Sequence, residues 1–253
     1  MLNFAYSTIN WGDTCDLKAC FDDIRSTGWR AVELFAHSLE WMGTPKRLKS
    51  LLGDLQAATL FGTVDLPSSD RQITLHKNRL DYCAEIGAAA YGLVGAGRPR
   101  SRPPSTDELN DLASLCEAIA EHAAKIGVTV GYHPHTRCTV QYEHEIDHLI
   151  ARTNHLKLCL DISHVTVVGE DPIAHLRKYK NRIGYVHLKD YGNGDFVELG
   201  RGTINMDIAG FLRQLEAQSF GGWVVVEQST SDVSAKYSAE INSTYLRGLG
   251  YTV

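Results

Sequence analysis

The residues best suited to chemistry stand at the ends of four apolar runs. VTVGYHPH ends in His133 and His135, LCLD in Asp161, YVHLKD in His187 and Lys189, and WVVVEQ carries Glu227. LCLD continues as ISHV, so His164 follows the acid by three residues. Taken singly, Asp161 could cap a turn, and any one histidine is better explained by packing or exposure. Together they read differently. Residues two apart on a strand share a face, so His133 and His135 can point the same way, as can His187 and Lys189. Imidazole nitrogens and carboxylate oxygens gathered at one end of neighbouring strands suit a hard-to-borderline divalent cation. Without a cation the same set would be poorly paired buried charge. Asp161 is therefore expected to be a metal ligand, with His164 above the same site. The other histidines (His37, His76, His122, His144, His148, His155 and His175) fall in loops, helices or a strand start and are read as structural.

Such groups need parallel strands to bring them together, and the chain alternates accordingly. Strands are expected over Phe4–Ile9, Arg30–Phe35, Thr59–Val64, Tyr91–Gly95, Val128–His133, Leu156–Asp161, Ile183–Leu188 and Trp223–Glu227. Helical stretches lie between them: Asp16–Ser26, one opened by Thr44-Pro45, Asp70–Ile86, one running to Lys125, Glu143–Arg152, one from Asp171-Pro172 to Tyr179, Met206–Ala217 and Val233–Gly248. Thr44-Pro45 and Asp171-Pro172 pair an N-cap with proline at the first helical position. Ser105 and Glu108 form a capping box. Eight strand–helix units in 253 residues match a single-domain α/β fold, the (β/α)8 TIM barrel. A doubly wound open sheet would need a glycine-rich first turn, which TINWGDTCD lacks; GLVGAG at 92–97 is a lone near-match in mid-chain.

Bulk properties remove several classes. The chain is 43% hydrophobic and 22% charged, with net charge −5, which opposes nucleic-acid binding. Lys46-Arg47 and the run Arg98-Pro99-Arg100-Ser101-Arg102 are short and read as solvated charge. No apolar run approaches the roughly 20 residues of a membrane span. MLNFAYSTIN has no signal-peptide pattern. The six cysteines form no CxxC pair and read as reduced, so a cytoplasmic location is expected.

At these residues the chain resembles the sugar phosphate isomerase/epimerase superfamily of xylose isomerase-like TIM barrels. The resemblance rests on DxxH at Asp161–His164, HLKD at His187–Asp190, LGRGTINMD at Leu199–Asp207 and VVVEQ at Val224–Gln228. Within it, YHPHTRCTVQYEHEID and TINWGD look most like the inosose dehydratase branch, which carries His-His-His where this chain has His-Pro-His. The segment DYGNGDFVELGRG is shorter than that branch usually carries. The resemblance implies four metal ligands: His133 in place of the family's glutamate, Asp161, His187 and Glu227. It also implies a divalent cofactor, with Mn2+ expected first and Mg2+, Co2+ or Zn2+ as alternatives.

The expected substrate is a small carbohydrate, and the expected reaction starts with removal of a proton beside its carbonyl. His135, His164, Lys189 and Glu227 are the candidate catalytic groups. Histidine suits acid or base work near neutral pH. Lys189, placed at the rim, would hold negative charge or act as acid, unless it merely pairs with Asp190 or Glu198. Trp11, Glu33 and Arg201 are the candidate substrate-binding residues. With His133 replacing a glutamate, a symmetric two-carboxylate proton exchange is unavailable. A metal-dependent lyase of the inosose dehydratase kind is therefore favoured. The alternatives are a ketose isomerase or 3-epimerase, a 3-keto-glycoside lyase of the C-glycoside deglycosidase kind, and a non-catalytic sugar-binding barrel. A homo-oligomer or hetero-oligomer would suit this group of barrels; neither nucleic acid nor membrane is expected as a partner.

Overall fold

A computed structural model describes residues 1–35 and 37–253. The expected alternation closes into a ring. Its strands are β1 (Asn3–Ser7), β2 (Ala31–Leu34), β3 (Gln56–Val64), β4 (Ala90–Gly95), β5 (Thr129–Tyr132), β6 (Lys157–Asp161) and β7 (Ile183–Leu188). A two-stranded antiparallel hairpin follows, β8 (Asp190–Gly192) and β9 (Asp195–Val197), and then β10 (Trp223–Val226) completes the barrel. Barrel neighbours run β1-β10-β7-β6-β5-β4-β3-β2, all parallel, and Asn3 pairs with Trp223 to close it. This is the (β/α)8 barrel the alternation predicts.

The surrounding helices are α1 (Leu17–Ser26), α2 (Leu39–Met42), α3 (Pro45–Leu52), α4 (Asp70–Ile86), α5 (Thr106–Lys125), α6 (Glu143–Ala151), α7 (Ile162–Val167), α8 (Pro172–Lys178), α9 (Ile208–Ala217) and α10 (Ala235–Gly248). Their starts follow from the caps. Thr44 accepts from Arg47 N ahead of Pro45, and Asp171 accepts from Ile173 N ahead of Pro172. Ser105 and Glu108 exchange both bonds of a capping box. None of the helices is long and apolar enough to cross a membrane, among the described residues.

Two layers of apolar side chains hold the ring. Outside it, residues such as Phe21, Ile24, Leu80, Leu112, Ile119 and Phe211 are buried between helices and strands. Inside it, small Ala5, Ala31, Ala58 and Ala90 leave space that Phe61, Tyr185, Cys159 and Val225 fill. Gly92 belongs to that inner packing: a Cβ there would lie 2.1 Å from Tyr185 Oη and 2.3 Å from Phe61. Gly92 of GLVGAG thus serves close approach of side chains within a barrel strand, not a nucleotide turn.

Three expectations shift. The first strand ends at Ser7 rather than Ile9, because Ser7 Oγ accepts from Ile9 N and the chain turns through a 3-10 segment, Thr8–Trp11. Helix α7 follows directly on Asp161, and the β8–β9 hairpin replaces what reads as a plain loop. That hairpin turns at Asn193-Gly194, both with positive φ (55° and 88°), the pair preferred in a two-residue hairpin loop.

Candidate metal centre

Asp161 and His187 are paired across β6–β7, and Val225 pairs with His187 across β7–β10, which sets Glu227 one pleat beyond. His133 follows the last residue of β5, and its N–H donates to Leu93 O at 2.7 Å, continuing the ladder. All four side chains are buried. One ligand atom from each of His133, Asp161, His187 and Glu227 falls within 4.8 Å of the others.

Each side chain is oriented by a bond made with its other polar atom. His133 Nδ1 lies 3.3 Å from Cys159 O, which leaves Nε2 facing Asp161 Oδ2 at 4.0 Å. Asp161 Oδ1 caps α7, accepting from Ser163 N at 2.7 Å and His164 N at 3.1 Å, which leaves Oδ2 inward. His187 Nε2 lies 3.0 Å from Glu33 Oε2, and Glu33 in turn accepts from Thr59 Oγ1 at 2.7 Å. His187 Nδ1 is then left 2.6 Å from Glu227 Oε2. A carboxylate behind an imidazole is the usual arrangement behind a metal-bound histidine.

The inward atoms test the fit to a cation. Asp161 Oδ2, His187 Nδ1 and Glu227 Oε2 are buried and make no aligned hydrogen bond. Three such inward-facing atoms converge here from three strands, held only by ion-pair contacts, His187 Nδ1 with Glu227 Oε2 at 2.6 Å and Asp161 Oδ2 with Lys189 Nζ at 3.1 Å. Two imidazole nitrogens and two carboxylate oxygens suit Mn2+ or Zn2+. The residues present therefore fit a divalent ion.

Lys189 requires a correction. It is not at the rim and does not pair with Asp190 or Glu198. It is 1% exposed, with Nζ 2.7 Å from Glu227 Oε1 and 3.1 Å from Asp161 Oδ2. Asp190 instead accepts the N–H groups of Tyr191, Gly200 and Gly202, and Glu198 accepts from Ser238 Oγ. Burial works against the Lys189 ammonium, but Asp161 and Glu227 outweigh it and hold the group protonated, above its ordinary range. Glu227 is likewise kept ionised: burial would raise it, and Lys189 and His187 push it well below the usual carboxylate range. Burial also pushes His187 down, but Cys159, Glu33 and Glu227 raise it well above an ordinary imidazole. Burial keeps His133 neutral, with His187 adding to the effect.

The other two histidines lie together beside this set. The rings of His135 and His164 are 3.7 Å apart. His164 Nδ1 lies 3.1 Å from Thr136 Oγ1, and Nε2 lies 3.4 Å from Lys189 Nζ. Burial first, then Lys189, depresses His164 far below its ordinary value, so it is a neutral imidazole. His135, half-buried, is lowered chiefly by burial. Phe196 of the hairpin covers this group, its ring 5.0 Å from His164 and 4.6 Å from Lys189 Nζ.

The three candidate pocket residues separate. Glu33 is fully buried behind His187. Trp11 packs edge-on against Tyr6, with Nε1 3.4 Å from Asp23 Oδ2. Arg201 donates to Tyr237 Oη at 2.9 Å and lies 3.6 Å from Glu198. The histidines read as structural take no part in the quartet; His37, for one, is buried between Thr8 Oγ1 and Asp13 O, at 2.9 Å from each. Thr59, Phe61, Thr136 and Phe196 are the additions that sequence reasoning missed. Phe61 stacks on His187 and meets His133 edge-on. Only Phe196 had a readable signal, the Asn193-Gly194 turn that places it opposite Tyr191.

Comparison with known proteins agrees with this architecture. Inosose dehydratase from Lacticaseibacillus casei is 29% identical over 88% of this chain and 86% of its own. The solved IOLI protein with a bound zinc atom superposes with TM-score 0.81 at 16% identity, over 98% of each chain. The 3-keto-D-glucoside 4-epimerase YcjR from E. coli superposes with TM-score 0.81 at 17% identity, over 98% of this chain and all of its own. At such identities the two structures show a shared fold. Residues 21–248 match the xylose isomerase-like TIM barrel family, and the chain belongs to that family.

Proposed function

We propose that the protein is a metal-dependent lyase that removes water from a keto-inositol or a related keto-sugar. The observation that carries this reading is the convergence of His133, Asp161, His187 and Glu227 within 4.8 Å beneath a neutral histidine and a buried lysine. The similarity to inosose dehydratase supports the substrate class.

Held by those four residues, a divalent cation, with Mn2+ the first candidate, would polarise the substrate carbonyl and acidify the adjacent C–H. His164 is the proposed base. Its neutral state makes Nε2 an acceptor, which faces the Lys189 ammonium at 3.4 Å and would take the proton once substrate displaces that contact, and Thr136 fixes the ring through Nδ1. Burial makes the resulting imidazolium a strong acid, suited to hand the proton on to the departing β-hydroxyl. The C–O bond breaks with that transfer, and water is the by-product. Lys189 is held protonated by two carboxylates, so it serves better to stabilise negative charge on oxygen than to release a proton. Glu227 anchors that ammonium. His135 walls the site against the His164 ring. An imidazole at position 133 replaces the glutamate that the family resemblance implies there, which disfavours a two-carboxylate epimerisation.

The test is proton NMR of the metal-loaded protein with 2-keto-myo-inositol in heavy water. Signals of a dehydrated product support the reading, and they should vanish in Asp161→Ala and Glu227→Ala together with metal retention. Deuterium entering the substrate without elimination would replace it with an isomerase or epimerase reading. Undiminished turnover in a metal-free sample would overturn it.

A further inference from the structure

Beside the metal centre the same end of the barrel carries a second polar feature. The loop between β4 and α5 and the loop between β5 and α6 enclose a groove of about 590 Å3, lined by Arg98, Arg100, Arg102 and Arg137. The β5–α6 loop is the one that carries His133 and His135, so the groove borders the catalytic face. A protein of net charge −5 has placed four guanidinium groups around one hollow.

The groove is built rather than incidental. Arg98 Nη1 contacts both oxygens of buried Glu145, at 2.8 and 3.0 Å. Arg102 grips Glu108 through two nitrogens, at 2.6 and 2.8 Å. The two loops are knit by Arg98 N donating to Arg137 O at 2.8 Å, beside a bridge between Gly97 and Cys138. Arg137 holds a left-handed backbone, φ 69°, and its N–H donates to Gln141 Oε1 at 2.7 Å. A non-glycine residue in that region is uncommon, and such conformations collect at ligand-binding sites. Among the described residues, neither Arg100 nor Arg137 has a carboxylate within 4.0 Å; both are exposed. Four guanidiniums against two carboxylates leave two positive charges.

From this we infer that the arginine groove binds the phosphate group of a small molecule, with Arg100 and Arg137 as its principal contacts. Two unpaired guanidiniums match a dianion better than a single carboxylate, and their planar forks suit its oxygens. The phosphate has two potential sources, an ester on the sugar substrate or a separate phosphate-bearing effector.

The experiment is isothermal titration calorimetry of inorganic phosphate into the full chain at several salt concentrations. The inference expects binding that weakens with salt and drops about 10-fold or more in Arg100→Ala/Arg137→Gly. Glycine at 137 suits the left-handed backbone, and an unchanged melting temperature checks the fold. Asp161→Ala should bind phosphate as well as the parent protein. No binding to the parent protein, equal binding to the double variant, or loss of binding in Asp161→Ala would each overturn the inference. The last result would place phosphate at the metal centre instead. A ketohexose phosphate and the free ketohexose then separate the sources. If the ester binds more tightly and loses that advantage in the double variant, the phosphate belongs to the substrate. If the two sugars bind equally and phosphate still binds, it belongs to an effector. Phosphate binding needs no turnover, so failure of the dehydratase reading leaves this result standing.

Discussion

Glu33 Oε2 lies 3.0 Å from His187 Nε2, although the two residues come from opposite halves of the chain. The contact fixes which imidazole nitrogen is free to face Asp161 and Glu227. Glu33→Ala should leave the barrel folded and weaken metal retention about 10- to 100-fold, as loss of a carboxylate behind a metal-bound histidine commonly does. Metal content after dialysis against a graded chelator series measures this; unaltered retention would refute the positioning role.

Lys189 separates two buried carboxylates that would otherwise face one another. Lys189→Met should destabilise the metal-free protein by about 3 kcal/mol, because it strands buried negative charge. For a chain of this size that corresponds to roughly 10 °C in melting temperature. Added Mn2+ should restore most of the loss and bind more tightly than to the parent, while turnover falls. A variant that melts equally low with and without Mn2+ would contradict the arrangement.

His76 is buried against Tyr91 Oη at 2.8 Å, and burial followed by Arg79 lowers its pKa to about 4 from an ordinary 6.5. The sign follows from the unfolded chain binding the proton more readily. The contribution is full above pH 6.5, declines as pH falls through 6.5 towards 4, and reaches about 3 kcal/mol of lost stability below that. His76→Gln should flatten the acid limb of a urea-unfolding series by up to about 1.4 kcal/mol per pH unit within that window. An acid limb with the parent's slope would show that His76 is not a source of it.

Phe196, the middle residue of β9 in the small hairpin, lies over both Lys189 and His164. Phe196→Ala should retain metal yet admit water to both groups, lowering kcat about 10-fold and raising KM. The cation–π contact itself, about 1–2 kcal/mol in a desolvated setting, should appear as a lower melting temperature. Equal kinetics in variant and parent would reduce Phe196 to a surface residue.

The barrel was legible because its signals are local. Cap-then-proline pairs, a capping box and apolar runs ending in acids each stand within a few residues of one another. The gathering of strand-end polar residues was legible because strand ends fall at one level in a closed parallel sheet; which four of them form the quartet was implied by the family resemblance, not by the pattern. What escaped was decided by partners distant in sequence. Thr59 gives no sign that it steadies Glu33, and HLKD does not say that Lys189 reaches Asp161 and Glu227 rather than its neighbour Asp190. The hairpin was hidden by its brevity, although Asn193-Gly194 marked its turn. Whether Ser7 continues a strand or caps a turn depends on its own hydroxyl, a choice that apolar patterning does not record.

Pairing of Asn3 with Trp223 carries a consequence for how the protein comes into being. The ring cannot close until the last barrel strand has been synthesised, because its first strand waits for its last. Long-range closure of this kind is entropically slow, and nascent chains must hold their open edges until then. Asp161 and His187 can gather earlier, from the paired strands β6 and β7, whereas Glu227 joins them only with β10. Glu33 arrives behind His187 only when β1 and β2 swing in alongside β10. Tight metal capture would thus mark the completed circle, and a chain still assembling would hold its ion loosely.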